Sequence, residues 1–297
     1  MRIVVTGREG QVVRSLAERG DDIVPLGRPD LDLVAEPDVI VAAIEAVRPD
    51  VIVNAAAYTA VDKAESERDL AFAINERGAG AVARAANRLG VPLIHLSTDY
   101  VFSGDKPEPY VESDPTGPTG VYGASKLAGE RAVLDAHDNA AVLRTAWVYS
   151  PFGGNFVKTM LRLARERDEL GIVADQRGNP TSALDIADGV LAVAANLARS
   201  DDPALRGTFH MTAGGEATWA EFAEEIFAQS ARSGGPSATV NRIATADYPT
   251  PARRPANSRL DCSRLREMHG VALPDWRQST AAVVSRLLEP EPAIQGR

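Results

Sequence analysis

The chain has 297 residues and a mass of 31.6 kDa, with 44% hydrophobic and 25% charged residues, an ordinary balance for one large soluble domain or two closely joined ones. A net charge of −9 and a pI near 5.1 argue against broad binding to nucleic acid or to an anionic membrane. No apolar run approaches the roughly 20 residues of a bilayer span, the N-terminal MRIVVTG has no signal-peptide layout, and one cysteine, Cys262, excludes an internal disulfide framework, so a cytoplasmic location is expected.

The first half alternates regularly. Strand-like runs at Ile3–Val5, Ile23–Leu26, Val51–Asn54, Leu93–Ser97 and Ala141–Arg144 are apolar on both faces. Between them lie alanine-rich amphipathic stretches at Gln11–Arg19, Asp38–Val47, Asp69–Leu89 and Ser125–Ala136. Fully apolar strands separated by helices predict a parallel sheet covered on both sides, an α/β doubly wound fold of Rossmann type. Such sheets bind ligands beyond the carboxyl ends of their strands, so Thr6-Gly7, Ala55–Thr59, Ser97–Val101 and Thr145–Tyr149 matter most. The second half is richer in Pro and Gly, with helix-like stretches at Asn155–Arg167, Ser182–Leu197 and Thr218–Ala231, and a three-proline loop at Tyr248–Ser258. It reads as a smaller α/β domain. The expected division is 1–147 for a dinucleotide-binding domain, with a returning segment near 182–200, and 148–297 mainly for substrate. Only the last few residues, EPEPAIQGR, read as a low-complexity tail.

Four motifs carry chemistry. In TGREGQVV, Gly7 allows a tight turn and Gly10 lets backbone approach a pyrophosphate at a helix N-terminus; the third glycine of such turns serves helix–strand packing, and here Val13 stands in its place. The second strand ends at Arg28, and with Arg8 this leans toward the 2′-phosphate of NADPH, although Asp30 and Asp32 lie close by. In YGASK, the spacing of Tyr122 and Lys126 puts both on one helix face, and this is the only Tyr-x-x-x-Lys in the chain. A nearby ammonium lowers a phenol's pKa, which would make Tyr122 a proton donor near neutrality. In STDYVF, the strand delivers Thr98 to the same sheet edge, where a hydroxyl can stabilise charge on a carbonyl oxygen. The four histidines show no zinc-ligand spacing, and no metal is expected.

These stretches, with VIVNAAAYTAVDKAESE, LRTAWVYSPFGGNFV, DQRGNPTSALDIAD and YPTPARRPANSRLD, run nearly the whole length and resemble the extended short-chain dehydrogenase/reductases, more narrowly the dTDP-4-dehydrorhamnose reductases. The resemblance implies NADPH-dependent (or NADH-dependent) reduction of the C4 keto group of dTDP-4-dehydro-6-deoxy-L-mannose in dTDP-rhamnose biosynthesis, which supplies cell wall polysaccharide. It implies Tyr122 as proton donor, Lys126 as its partner and ribose anchor, and Thr98 as the hydroxyl on the substrate carbonyl. It places Gly10, Gln11 and Val12 at the pyrophosphate, Asp32 and Leu33 at the adenine, and Ala57, Tyr58 and Thr59 beside the cofactor. It places Val61, Thr98, Asp99, Tyr100 and Trp147 in the sugar pocket, Trp147 being either a platform or a core aromatic. Arg253 and Arg254 suit a diphosphate, or else solvent. The departures are Val13 and Ser15, where some relatives carry a carboxylate used in a magnesium-linked dimer. A monomer or weak homodimer is therefore expected, with a dTDP-sugar as its partner. Two alternatives stay open: an NAD-retaining sugar-nucleotide epimerase or dehydratase, and a non-catalytic NADP-binding regulatory subunit.

Overall fold

The computed structural model describes residues 1–289. The apolar runs form β1 (Ile3–Thr6), β2 (Ile23–Leu26), β3 (Val51–Asn54), β4 (Leu93–Thr98) and β5 (Ala140–Thr145). With a further strand, Gly207–His210, they make one six-stranded sheet in the order Gly207–His210, β5, β4, β3, β1, β2. Every pairing in it is parallel. The winding reverses between β1 and β3, and a crevice opens there at the carboxyl ends of the strands.

Alternation along each strand divides the core in two. Ile3, Val5, Val53, Ile94 and Leu143 pack on Val13 and Leu16 of the helix Gln11–Arg19 and on Ile186, Val190 and Val193 of Ala183–Arg199. Val4, Ile52, Leu93 and Val142 face Ile40 and Ile44 of the helix Pro37–Glu45, Val82 of Ala79–Leu89, and Val133 of Val121–Ala136. A third core holds Tyr149, Met160, Phe222 and Trp276, beside a parallel strand pair, Glu169–Val173 with Thr239–Ile243.

Local chemistry sets several helix ends. Asn155 caps Phe156–Leu163, Ser182 caps Ala183–Arg199, and Thr218 with Glu221 forms a capping box before Trp219–Arg232. The expected single helix Asp69–Leu89 is instead Arg68–Phe72, a π-helical turn Ala73–Gly78, and Ala79–Leu89. The wider turn carries Asn75, whose side chain accepts from Tyr58 N and donates to Tyr58 O and Ser125 Oγ. The helix read from Ser125 begins earlier, at Val121. The expected loop Tyr248–Ser258 is irregular, and Asn257 in it donates to the carbonyls of Lys106 and Glu108. Residues 290–297, most of the expected low-complexity tail, lie outside the described residues. Among the described residues no helix is long and apolar enough to cross a membrane.

Candidate active site

Three adjoining cavities of about 570, 720 and 630 Å³ form one trough across the carboxyl ends of the strands. The first and second share Gly7, Ala56, Ala57 and Thr59; the second and third share Val61, Tyr100 and Trp147. A fourth cavity, of about 470 Å³ beside Cys262 and Arg259, shares no wall with the trough.

At one end the turn after β1 opens onto the first and second cavities. Gly7 has φ +100°, a region that disfavours side chains, and a Cβ there would lie 3.3 Å from Val13 Cγ2. Val13 is 2% exposed and fills the space between turn and helix as part of the core. The helix Gln11–Arg19 starts at Gly10 with no side-chain cap, leaving first-turn N–H groups free for an anion beside the lining residues Gly10, Gln11 and Val12. The Gln11 side chain also ties this turn to the chain beyond β5, where its Oε1 accepts from Ser150 Oγ (2.8 Å) and Asn155 Nδ2 (3.1 Å). Arg28, Asp32, Leu33, Ala57, Tyr58 and Thr59 line the first cavity. Arg8 lines it too, but it is ion-paired with Asp30, which corrects the expectation of two available cations; Arg28 remains exposed there.

At the centre stand Thr98, Asp99, Tyr100, Tyr122 and Lys126. Thr98 is the last residue of β4, and Tyr122 opens its helix against the turn Asp99–Val101. Gly123 makes this contact possible, because a Cβ there would lie 2.1 Å from the Tyr100 carbonyl oxygen. The Tyr100 and Tyr122 rings meet edge to face at 5.4 Å. The expected lowering of the Tyr122 phenol by Lys126 is not what the structure has. Burial pushes that phenol well up, the Thr98 hydroxyl opposes this, and Asp99 and Tyr100 push it further up. Lys126 is turned away: its Nζ donates to the Leu96 carbonyl at 2.6 Å, and burial pulls it down to about 8 against the opposing pull of Glu130. Burial also raises Asp99 to about 6, with the Ser258 and Thr98 hydroxyls pulling it down.

At the far end Trp147 has φ +48° and stacks on Trp219, centroids 3.6 Å apart. A strained backbone beside a cavity is a mark of functional placement. Arg254 lines this cavity, donating to Asp62 Oδ2 (2.7 Å) and, more weakly, to Tyr100 OH (3.4 Å). Arg253 is exposed and outside the lining, so of the two expected diphosphate arginines only Arg254 is brought to the trough.

The sequence reading missed Asp62, Phe156, Gln176, Trp219 and Tyr248 in these walls. It also missed the support beneath the centre, where Glu130 binds Arg144 bidentately (2.9 and 2.7 Å) and accepts from Ser97 Oγ (2.5 Å). Glu130 stands four residues after Lys126 on one helix face, and that spacing was the available signal. Among the described residues no cluster of His, Cys, Asp or Glu could hold a metal.

The RmlD substrate binding domain family matches residues 1–289. A curated dTDP-4-dehydrorhamnose reductase of Sinorhizobium fredii is 52% identical over 291 residues, covering 97% of this chain and 98% of that protein. The crystal structure of a dTDP-4-dehydrorhamnose reductase from Clostridium acetobutylicum superposes with a TM-score of 0.90 at 36% identity, covering 97% of this chain and all of that one. One from Bacillus anthracis in complex with NADP gives 0.89 at 36% identity, with 96% and 99% covered.

Proposed function

The chain belongs to the RmlD substrate binding domain family, and from that premise we propose that its trough reduces the C4 keto group of dTDP-4-dehydrorhamnose to give dTDP-L-rhamnose, with NADPH as reductant and NADH as the alternative. The observation that carries the chemistry is the meeting of Thr98, Tyr122 and Lys126 in the central cavity, between the glycine turn and the Trp147 wall.

Gly7, Gly10, Gln11 and Val12 would hold the cofactor's diphosphate, Asp32 and Leu33 its adenine end, and Arg28 its 2′-phosphate, with Ala57, Tyr58 and Thr59 closing over it. When bound, NADPH supplies the hydride that C4 receives. The Tyr122 phenol gives its proton to the C4 oxygen. A phenol held well above its usual range stays protonated through neutral pH, so the donor is loaded when substrate arrives. Thr98 would stand beside that oxygen, and Lys126 brings positive charge to the cavity wall. Val61, Tyr100 and Trp147 frame the sugar, and Arg254 meets the diphosphate. The chain's own contribution is orientation and electrostatics.

The division near residue 147, a monomeric or weakly dimeric state and a cytoplasmic location belong to the same proposal. Ser15, where a metal-linked dimer would want a carboxylate, is buried and donates to the Gln11 carbonyl. Incubation with NADPH and dTDP-4-dehydrorhamnose should yield dTDP-rhamnose, heavier by two hydrogens. An unchanged substrate, with NADPH bound, would remove this reading.

A further inference from the structure

Asp99 lines the reaction cavity yet is 3% exposed. One carboxylate oxygen, Oδ1, accepts the Thr98 hydroxyl proton at 2.9 Å. The other, Oδ2, is buried without a hydrogen bond of ordinary length, and the Ser258 hydroxyl is the other group that pulls on the carboxylate. A buried carboxylate oxygen left in this way needs a reason to be there.

The hydroxyl of Thr98 has one proton and two lone pairs. With its proton given to Asp99, it faces the rest of the site as an acceptor. It accepts weakly from Tyr100 N at 3.3 Å, and it lines the same cavity as the Tyr122 phenol. We propose that Asp99 is a positioning residue that fixes the direction of the Thr98 hydroxyl, making Thr98 the resting acceptor for the Tyr122 O–H until the substrate oxygen takes that proton. This rests on the reductase reading. Asp99 gains and loses no proton in the step: the phenol's O–H bond breaks and the new one forms on the C4 oxygen. The charged and titratable groups around the phenol are Asp99 and Tyr100 from the β4 turn, Arg254 and Asp62 behind Tyr100, and Lys126 on its own helix. Asp99 is ionised at neutral pH, and its charge adds to the upward push on the phenol.

The test is Asp99→Asn, alone and with Thr98→Val, read in two ways. Alkaline titration of the Tyr122 phenol, isolated as the ultraviolet difference between each protein and its Tyr122→Phe counterpart, needs no substrate. It should show the phenol ionising at lower pH in Asp99→Asn. In turnover, kcat should fall on the order of tenfold with KM for the sugar nucleotide held within about twofold. In the Thr98→Val background the same change should move kcat by less than about twofold, because the two residues act as one. A phenol titration that does not move, fully additive losses, or a raised KM with kcat unmoved would overturn the proposal, the last making Asp99 a substrate ligand. If Asp99→Asn fails to fold, Thr98→Ser and Thr98→Val decide. The proposal expects serine to keep the wild-type phenol titration and valine to shift it, and equal titrations would overturn it. An idle wild type would defeat the reductase reading alone, since the titration stands without turnover.

Discussion

The Lys126 ammonium, 3% exposed in the wall of the central cavity, donates to the Leu96 carbonyl oxygen across 2.6 Å. Its pKa is down at about 8 from 10.5, so the folded state gives up this proton before the unfolded state does. The cost of carrying the charge is complete below about pH 8 and fades as pH rises to 10.5. At about 1.4 kcal/mol per pH unit this is about 3 kcal/mol at most, and losing the Leu96 hydrogen bond returns about 1. Lys126→Met should therefore be more stable than wild type by about 2 kcal/mol at pH 7 while losing turnover. Denaturant melts at pH 7 and above pH 10 check this: the gain should disappear at the higher pH, and a gain that grows with pH would contradict it.

The Glu130–Arg144 pair, with side chains 4% and 6% exposed, is expected to be a point of fragility. Glu130→Gln leaves a guanidinium buried without its counter-charge, which costs about 3–5 kcal/mol. A calorimetric or urea melt should show this loss, and a change below about 1 kcal/mol would mean that water reaches Arg144.

Val13 poses a sharper question, since it occupies the position of a glycine in related turns. Its burial beside Gly7 makes it part of the fold. Val13→Gly should lose about 2–3 kcal/mol of stability, from lost apolar burial and from glycine's poor helix propensity, without tightening NADPH binding. Gly7→Ala should weaken NADPH binding, because φ +100° strains any side chain. Fluorescence titration with NADPH distinguishes the two.

Arg254→Ala should raise KM for the sugar nucleotide by tenfold or more, the order of one charge-assisted hydrogen bond, and leave NADPH affinity unmoved. Arg253→Ala should change neither by more than about twofold, as expected of an exposed charge. Steady-state kinetics with each substrate varied in turn checks both.

The strands β1 to β5 were legible because each is a continuous apolar run between helices, and the chemistry-bearing residues follow them directly. Gly207–His210 was not, because GTFH is short and Phe209 is its one hydrophobic residue. Glu169–Val173 alternates buried and exposed over five residues, too few to stand out. The π-helical turn at Ala73–Gly78 has no period of its own; it exists because Asn75 bonds to Tyr58 and Ser125, residues distant in sequence. That Tyr122 and Lys126 share one cavity was legible from spacing alone. The direction of the phenol's shift was not, because it depends on burial and on where Lys126 points, and both are set by packing against β4.

The central claim is that Tyr122 delivers a proton in a reduction driven by NADPH. Its most direct test is the loss of NADPH absorbance with dTDP-4-dehydrorhamnose, in wild type and in Tyr122→Phe, with NADPH binding measured for both. The account predicts turnover in the wild type and a loss of at least about a hundredfold in the variant at unchanged NADPH affinity. A variant that keeps wild-type kcat within a few-fold, or a wild type that binds NADPH and leaves the substrate untouched, would contradict it.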